Sequence, residues 1–172
     1  KFLVKKVGID EFKKLVAEER ETLRPDERWT NFLDDLHVTD EKPVREAGAI
    51  PSDTSPGFQA WAEHNLKPQA QDGYYSAIVK MPLGDFTSTQ GRALAQLAQE
   101  LTGDSVRCTV EQNLTFRWLS GADAETLYDR WVALDMAAAG AGTVSDKTSC
   151  PGTDACKLGI SASRGLTGEV RK

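Results

Sequence analysis

The chain is poor in the residues that mark small secreted or metal-stabilised proteins. It has three cysteines and two histidines in 172 residues. An odd cysteine count, with nothing else suggesting secretion, argues against a disulfide framework. His37 and His64 are well separated and form no metal-like cluster. No apolar run approaches the roughly 20 residues needed to cross a bilayer, and no signal-peptide pattern is visible. Positive charge is not in excess either. The formal net charge is -5, which speaks against a nucleic-acid surface built from clustered Lys and Arg. These absences lead to the expectation of a cytoplasmic protein with neither a membrane nor a nucleic acid as partner.

What is present is ordinary for a folded domain: 40% hydrophobic and 27% charged residues, in a chain long enough to bury a core without staples. Phe2, Leu3, Val4 and Val7 read as the last turns of a helix with Gly8 as its left-handed cap. This abrupt start suggests a piece of a longer protein. Asp10 is placed to cap a helix running to about Arg20, with Phe12, Leu15 and Val16 as its stripe. Residues 24–72 are rich in proline (Pro25, Pro43, Pro51, Pro56, Pro68). They carry scattered anchors at Trp29, Phe32, Leu36, Phe58 and Trp61, and read as an irregular connection with one short helix near Phe58–His64.

From Tyr74 the periodicity sharpens. YYSAIVKM is a strand with Tyr75, Ala77 and Val79 on one face. Thr87 and Gln90 make a capping box for a helix with Leu94, Leu97, Ala98 and Leu101 inward, closed near Gly103. SVRCTV predicts a strand with Val106, Cys108 and Val110 inward, so that Cys108 reads as a small core hydrophobe. NLTFRWL predicts another, with Leu114, Phe116 and Trp118 inward. Ser120 and Asp123 are placed to start a second helix with a Leu127, Tyr128, Trp131 and Leu134 stripe, ended by the run from Ala137 to Gly142. A further strand is expected to lead into Cys150. Strand, helix, strand, strand, helix, strand is the split βαβ plan of a ferredoxin-like α+β fold. Its other face carries Tyr74, Ser76, Ile78, Lys80, Arg107, Thr109, Asn113, Thr115 and Arg117, and is either solvated or lines a site for an anionic partner.

TSCPGTDACKLG, residues 148–159, places Cys150 and Cys156 in a polar stretch with five residues between them. Zinc ligands are usually closer together, a reducing compartment disfavours a disulfide, and two thiolates do not complete an iron–sulfur cluster. Spacing alone leaves open an unliganded pair, a disulfide and half of a cluster site.

CPGTDACKLGISASRG closely resembles the first cluster motif of the siroheme-dependent nitrite and sulfite reductases. VRCTVEQNLTFRWL resembles the T-x-x-Q-N segment of the same family. QDGYYSAIVKMPLGDFTSTQGRALAQLA looks like the opening of its second ferredoxin-like half-domain, and KFLVKKVGIDEF like the segment closing its first siroheme domain. The resemblance implies the following organisation: residues 1–23 end a siroheme-binding domain, 24–72 are a linker, 73–143 a ferredoxin-like half-domain, and 144–172 the truncated start of a siroheme/[4Fe-4S] domain. It implies that Cys150 and Cys156 are two of four thiolates holding a [4Fe-4S] cluster, the other pair belonging to the parent protein beyond Lys172. It also implies that Gly152 and Gly159 let backbone pass close to that cluster. Arg107, Thr109, Gln112 and Asn113 match heme-facing strands. Lys157 and Arg164 follow the cluster motif, and Asn65, Lys67 and Gln69 match a segment reaching the heme side. Cys108 stands where the family has an aliphatic residue.

The activity implied is that of an oxidoreductase carrying out the six-electron reduction of sulfite to sulfide or nitrite to ammonia, chemistry that cofactors rather than side chains must carry. Its partners would be the small anion substrate, a ferredoxin or flavoprotein electron donor and the rest of the parent chain. The isolated fragment is expected to be inactive and to self-associate through faces that normally meet the missing parts. The alternative is a ferredoxin-like structural or binding domain without cofactor, in which Cys150 and Cys156 are free thiols.

Overall fold

A computed structural model describes residues 2–38 and 41–170. Phe32, Leu36 and His37, named above, lie outside the residues whose side chains are described. The chain divides into two units, residues 1–40 and 41–172.

The first unit is helical: α1 (Phe2–Val7), α2 (Ile9–Thr22) and α3 (Glu27–Val38). Gly8 does end α1, but its φ of 85° and ψ of 162° are an extended glycine conformation rather than the left-handed helical cap expected. Asp10 does not cap α2. That helix starts at Ile9, directly after Gly8 and with no side-chain cap bond, which leaves Asp10 in the first turn, where its charge still favours the positive end of the helix dipole. The expectation of an irregular segment from residue 24 also fails here. Pro25 lies just before α3, where proline punctuates rather than breaks a helix.

The second unit is an α+β fold with a four-stranded antiparallel sheet: β1 (Leu66–Pro68), β2 (Tyr74–Val79), β3 (Val106–Cys108) and β4 (Leu114–Ser120), in the order β1-β2-β4-β3. α4 (Pro56–Asn65), α5 (Ser88–Thr102) and α6 (Ala124–Ala133) supply its helical layer, and α7 (Ser163–Val170) follows near the C-terminal end. α4 has Pro56 in its first turn and Ser55 as N-cap, whose hydroxyl accepts from Phe58 N at 3.2 Å. Thr87 and Gln90 form the expected capping box on α5, and Gly103 closes it at φ 59°, ψ 46°, in the left-handed region that glycine enters without a Cβ penalty. α6 begins one turn later than expected. Residues 121–123 form a short 3-10 turn, and Asp123 occupies the N-cap position without a cap bond.

The core lies between the sheet and these helices. Ala77, Val79, Phe116 and Leu119 meet Leu97 and Leu101 of α5, Leu127 and Trp131 of α6, and Phe58 and Trp61 of α4. Edge-to-face aromatic packing joins Trp131 to Phe116 at 5.2 Å and to Trp61 at 5.7 Å.

Three expectations about the strands are corrected. Trp118 does not face the core. A bulge pairs Tyr75 with Leu119 and Ala77 with Phe116, so Arg117 and Trp118 together oppose Ser76. The extra residue shifts the alternation, Leu119 takes the inward place and Trp118 sits at φ 60°. Cys108 and Val110 do not face the core either. β3 ends at Cys108, because Thr109–Asn113 closes a tight turn through Thr109 N donating to Asn113 O (2.9 Å), which leaves Cys108 exposed and Val110 at its solvated tip. Finally, no strand leads into Cys150 among the described residues. The place beside β2 is already filled by β1, joined to it by a short hairpin in which Gln69 N donates to Tyr74 O (2.9 Å). Gly140 and Gly142 at positive φ also interrupt any extended run there. Among the described residues, no helix is long and apolar enough to cross a membrane.

Candidate functional site

The residues singled out in the sequence gather on the sheet face opposite the helices and on the cysteine loop beside it. Part of that face, beside β2, is covered by the chain itself, while Lys67 and Arg107 stay exposed. Asn65, fully buried at the end of α4, donates through Nδ2 to Ile78 O (2.9 Å) and Ala138 O (3.0 Å), and its Oδ1 accepts from Ala141 N (3.1 Å). Lys80 was expected on an open polar face. It is instead buried, with Nζ donating to Ala139 O (3.0 Å) and the Ser145 hydroxyl (3.2 Å). These two side chains draw residues 138–145 over β2.

The Gln112–Asn113 pair extends the same closure. Gln112 turns the β3–β4 connection at φ 64° and exchanges two bonds with the backbone of Ser149: Nε2 donates to Ser149 O at 2.8 Å, and Oε1 accepts from Ser149 N at 3.2 Å. Asn113 is buried. Its Oδ1 accepts from Met81 N (2.8 Å) and its Nδ2 donates to Asp146 (2.8 Å). Thr109 accepts from Asn113 N through its hydroxyl (3.3 Å) and so completes the turn. Gln69 serves the bulge: its Oε1 accepts the Trp118 N–H (2.8 Å) left unpaired there and the Ser76 hydroxyl (3.1 Å). Lys67 stays exposed on β1. With His64, Thr109 and Asp146 it borders a cleft of about 270 Å³ under residues 141–146.

Toward the outer edge of the sheet, Arg107 and Arg117 converge on one carboxylate. Arg107 Nη2 lies 2.6 Å from Glu41 Oε1, and Arg117 Nη1 2.5 Å from Glu41 Oε2. Partial burial pushes the Glu41 carboxyl up, but the Ser105 side chain and the two guanidiniums outweigh it and hold the group below its ordinary value.

The cysteine loop is wound around glycine. Gly152, at φ 57°, is buried, and a Cβ there would meet Ser163 N at 2.9 Å. A Cβ at Gly159 would meet the Gly152 carbonyl carbon at 2.7 Å. Both glycines are thus required by backbone crossing backbone within the loop. Cys156 N donates to Gly152 O (3.0 Å). Cys150 and Cys156 are free and exposed. Cys150 Sγ lies 3.4 Å from Ser163 Oγ. As a thiolate it accepts from that hydroxyl and from the Gly152 N–H, which together outweigh desolvation and hold the thiol below its ordinary value. Arg164 pairs with Asp85 and lies 4.0 Å from Asp154, tying α7 to the loop after β2, whereas Lys157 is exposed.

The donor set does not complete a [4Fe-4S] site. Such a cluster takes about four thiolates, the loop supplies Cys150 and Cys156, and no group of three or more His, Cys, Asp or Glu suited to a metal occurs among the described residues. The amides of Asn65, Gln69, Gln112 and Asn113, which a heme rim would need, are bonded to the chain itself. Sequence reasoning missed Glu41 as the partner of Arg107 and Arg117, Ser163 as that of Cys150, and Asp146 as that of Asn113. Each lies in an irregular segment or far along the chain, where no periodicity signals contact.

No curated protein matches the chain. Residues 67–134 match the family model described as nitrite/sulfite reductase ferredoxin-like half domain, so a ferredoxin-like domain is present over those residues.

Proposed function

We propose that this chain acts as a ferredoxin-like structural domain that holds no cofactor of its own and keeps Cys150 and Cys156 as free thiols. The observation that carries this reading is the use of the amides: Asn65, Gln112 and Asn113 spend their donors on Ile78, Ala138, Ser149 and Asp146, so none of them is free to meet a cofactor. Displacing them would leave buried polar groups unpaired at about 1–3 kcal/mol each. The test is anaerobic incubation with ferrous iron, sulfide and siroheme, followed by gel filtration, metal analysis and thiol titration. The expected result is a colourless protein with all its cysteines reactive. Bound iron at about four or more per chain, with a charge-transfer band, would overturn it.

A second reading is favoured by the cysteine loop. Both thiols are exposed, and the Cys150 thiolate is stabilised by Ser163 and Gly152. In this reading the chain is part of a sulfite or nitrite reductase. Cys150 and Cys156 would hold half of a [4Fe-4S] cluster, and Arg107, Thr109, Lys157, Arg164 and Lys67 would face siroheme once residues 138–149 had moved. The cluster and siroheme would supply electrons for the six-electron reduction. Ferredoxin or a flavoprotein would be the donor. Iron binding to a longer chain that contains a second cysteine pair, lost on Cys150→Ser, separates the two readings.

A further inference from the structure

Arg107 and Arg117 stand on neighbouring strands of the sheet's outer edge. Arg107 pairs across β3–β4 with Thr115, and Arg117 is the next residue of β4 on that face. They are therefore diagonal neighbours, and two guanidiniums so placed repel unless an anion lies between them. Glu41 supplies it, with one carboxylate oxygen toward each arginine. The match is incomplete in charge: a single carboxylate against two guanidiniums leaves one positive charge over. It is also open to solvent, since the Arg107 side chain is 58% exposed and that of Arg117 33%. Glu41 belongs to a stretch without regular secondary structure, residues 41–50, that is fastened further along by Tyr74 Oη donating to Arg45 O (2.9 Å) and Gly48 N donating to Gly73 O (3.3 Å). The carboxylate can therefore withdraw while the strap stays attached.

We propose that Arg107 and Arg117 form a binding site for a small tetrahedral dianion, and that Glu41 is an internal carboxylate that occupies it. A dianion neutralises both guanidiniums and offers oxygens to both forks at once, which suits arginine better than a monoanion does. Glu41 competes as a tethered ligand at high effective concentration, so the unsubstituted chain binds the free anion with an affinity reduced by the fraction of time the site is open. This inference rests on the cofactor-free reading, in which Arg107 is not turned toward siroheme and the geometry of the three side chains stands as described.

The test is a titration of the full chain with inorganic phosphate at constant ionic strength, following the arginine Nε–H resonances by NMR. In Glu41→Gln, Arg107 and Arg117 are expected to shift together and saturate at a phosphate concentration about tenfold lower than in the unsubstituted chain. Glu41→Asp keeps the charge but is too short to bridge both guanidiniums, and it is expected to fall between the two. Adding Arg117→Gln to Glu41→Gln is expected to abolish the response. The same midpoint in all three chains, or no arginine shift in a Glu41 variant whose sheet amide resonances are unchanged, would overturn the proposal. Should Glu41→Gln not fold, the comparison of Glu41→Asp with the unsubstituted chain decides in the same way.

Discussion

The side-chain amide of Gln112 and the backbone of Ser149 form a two-bond clamp, 2.8 and 3.2 Å long, that fixes the residue immediately before Cys150 to the β3–β4 turn. Where Cys150 lies therefore depends on a side chain 37 residues before its neighbour Ser149. Gln112→Ala is expected to cost about 1–2 kcal/mol and to speed hydrogen exchange at Ser149. Gln112→Gly removes the same amide but relaxes at φ 64°, so it is expected to be the less destabilised of the two. Equal stability of the two variants, measured by urea unfolding, would show that the turn's backbone conformation is not a cost.

Asn65 holds three partners from a fully buried position. Asn65→Ala is expected to lower the unfolding free energy by about 3 kcal/mol. Asn65→Asp is expected to do worse, because it keeps the acceptor for Ala141 N and turns carboxylate oxygens toward the carbonyls of Ile78 and Ala138. Tryptophan fluorescence during denaturation reports both, since Trp61 and Trp131 lie in the core.

Two glycines make opposite predictions. A Cβ on Gly121 would collide with Gly48 O and approach Ile50 N at 3.0 Å, both backbone atoms. Gly121→Ala is thus expected to destabilise by about 1–3 kcal/mol. Gly165 lies within α7 with nothing near a new Cβ, and Gly165→Ala is expected to stabilise by about 0.5–1 kcal/mol. A thermal melt of each variant checks the signs.

The Glu41 contact gives a pH dependence. Its carboxyl is held below the ordinary 4.5. A depressed carboxyl contributes stability that is fully present above the unfolded value and is lost as pH falls through the folded one. The unsubstituted chain is expected to lose stability more steeply than Glu41→Gln below about pH 4.5 and to run parallel to it above about pH 6. Denaturation midpoints over that range measure the difference.

The legibility of the sequence followed the range of the interaction. The Thr87–Gln90 box and the Leu94, Leu97, Ala98 and Leu101 stripe were readable because a cap and a helix face are set within a few residues. Trp118 and Cys108 were misplaced because strict alternation carries no mark of a bulge or of a strand that stops after three residues. β1 was hidden in a proline-rich stretch, although Pro68 at the end of an edge strand is a tolerated position. The helix α3 was missed for the same compositional reason. In the candidate site, residue types were legible and partners were not. Gln112 and Asn113 were identified by motif, while Ser149 and Asp146, which they hold, lie more than 30 residues away.

The filling of the place beside β2 by β1 has a consequence for the order of assembly. The strand that completes the sheet is made before the strand it pairs with, and only a five-residue hairpin separates the two. As the chain emerges from its N-terminal end, the sheet has its full set of strands once β4 is made, and α6 then covers it. The residues from Ala137 onward meet a finished surface and are fastened to it by Asn65, Lys80, Gln112 and Asn113. The cysteine loop is in that sense an attachment: all four strands of the sheet that carries it precede it in the chain, and none is contributed by it.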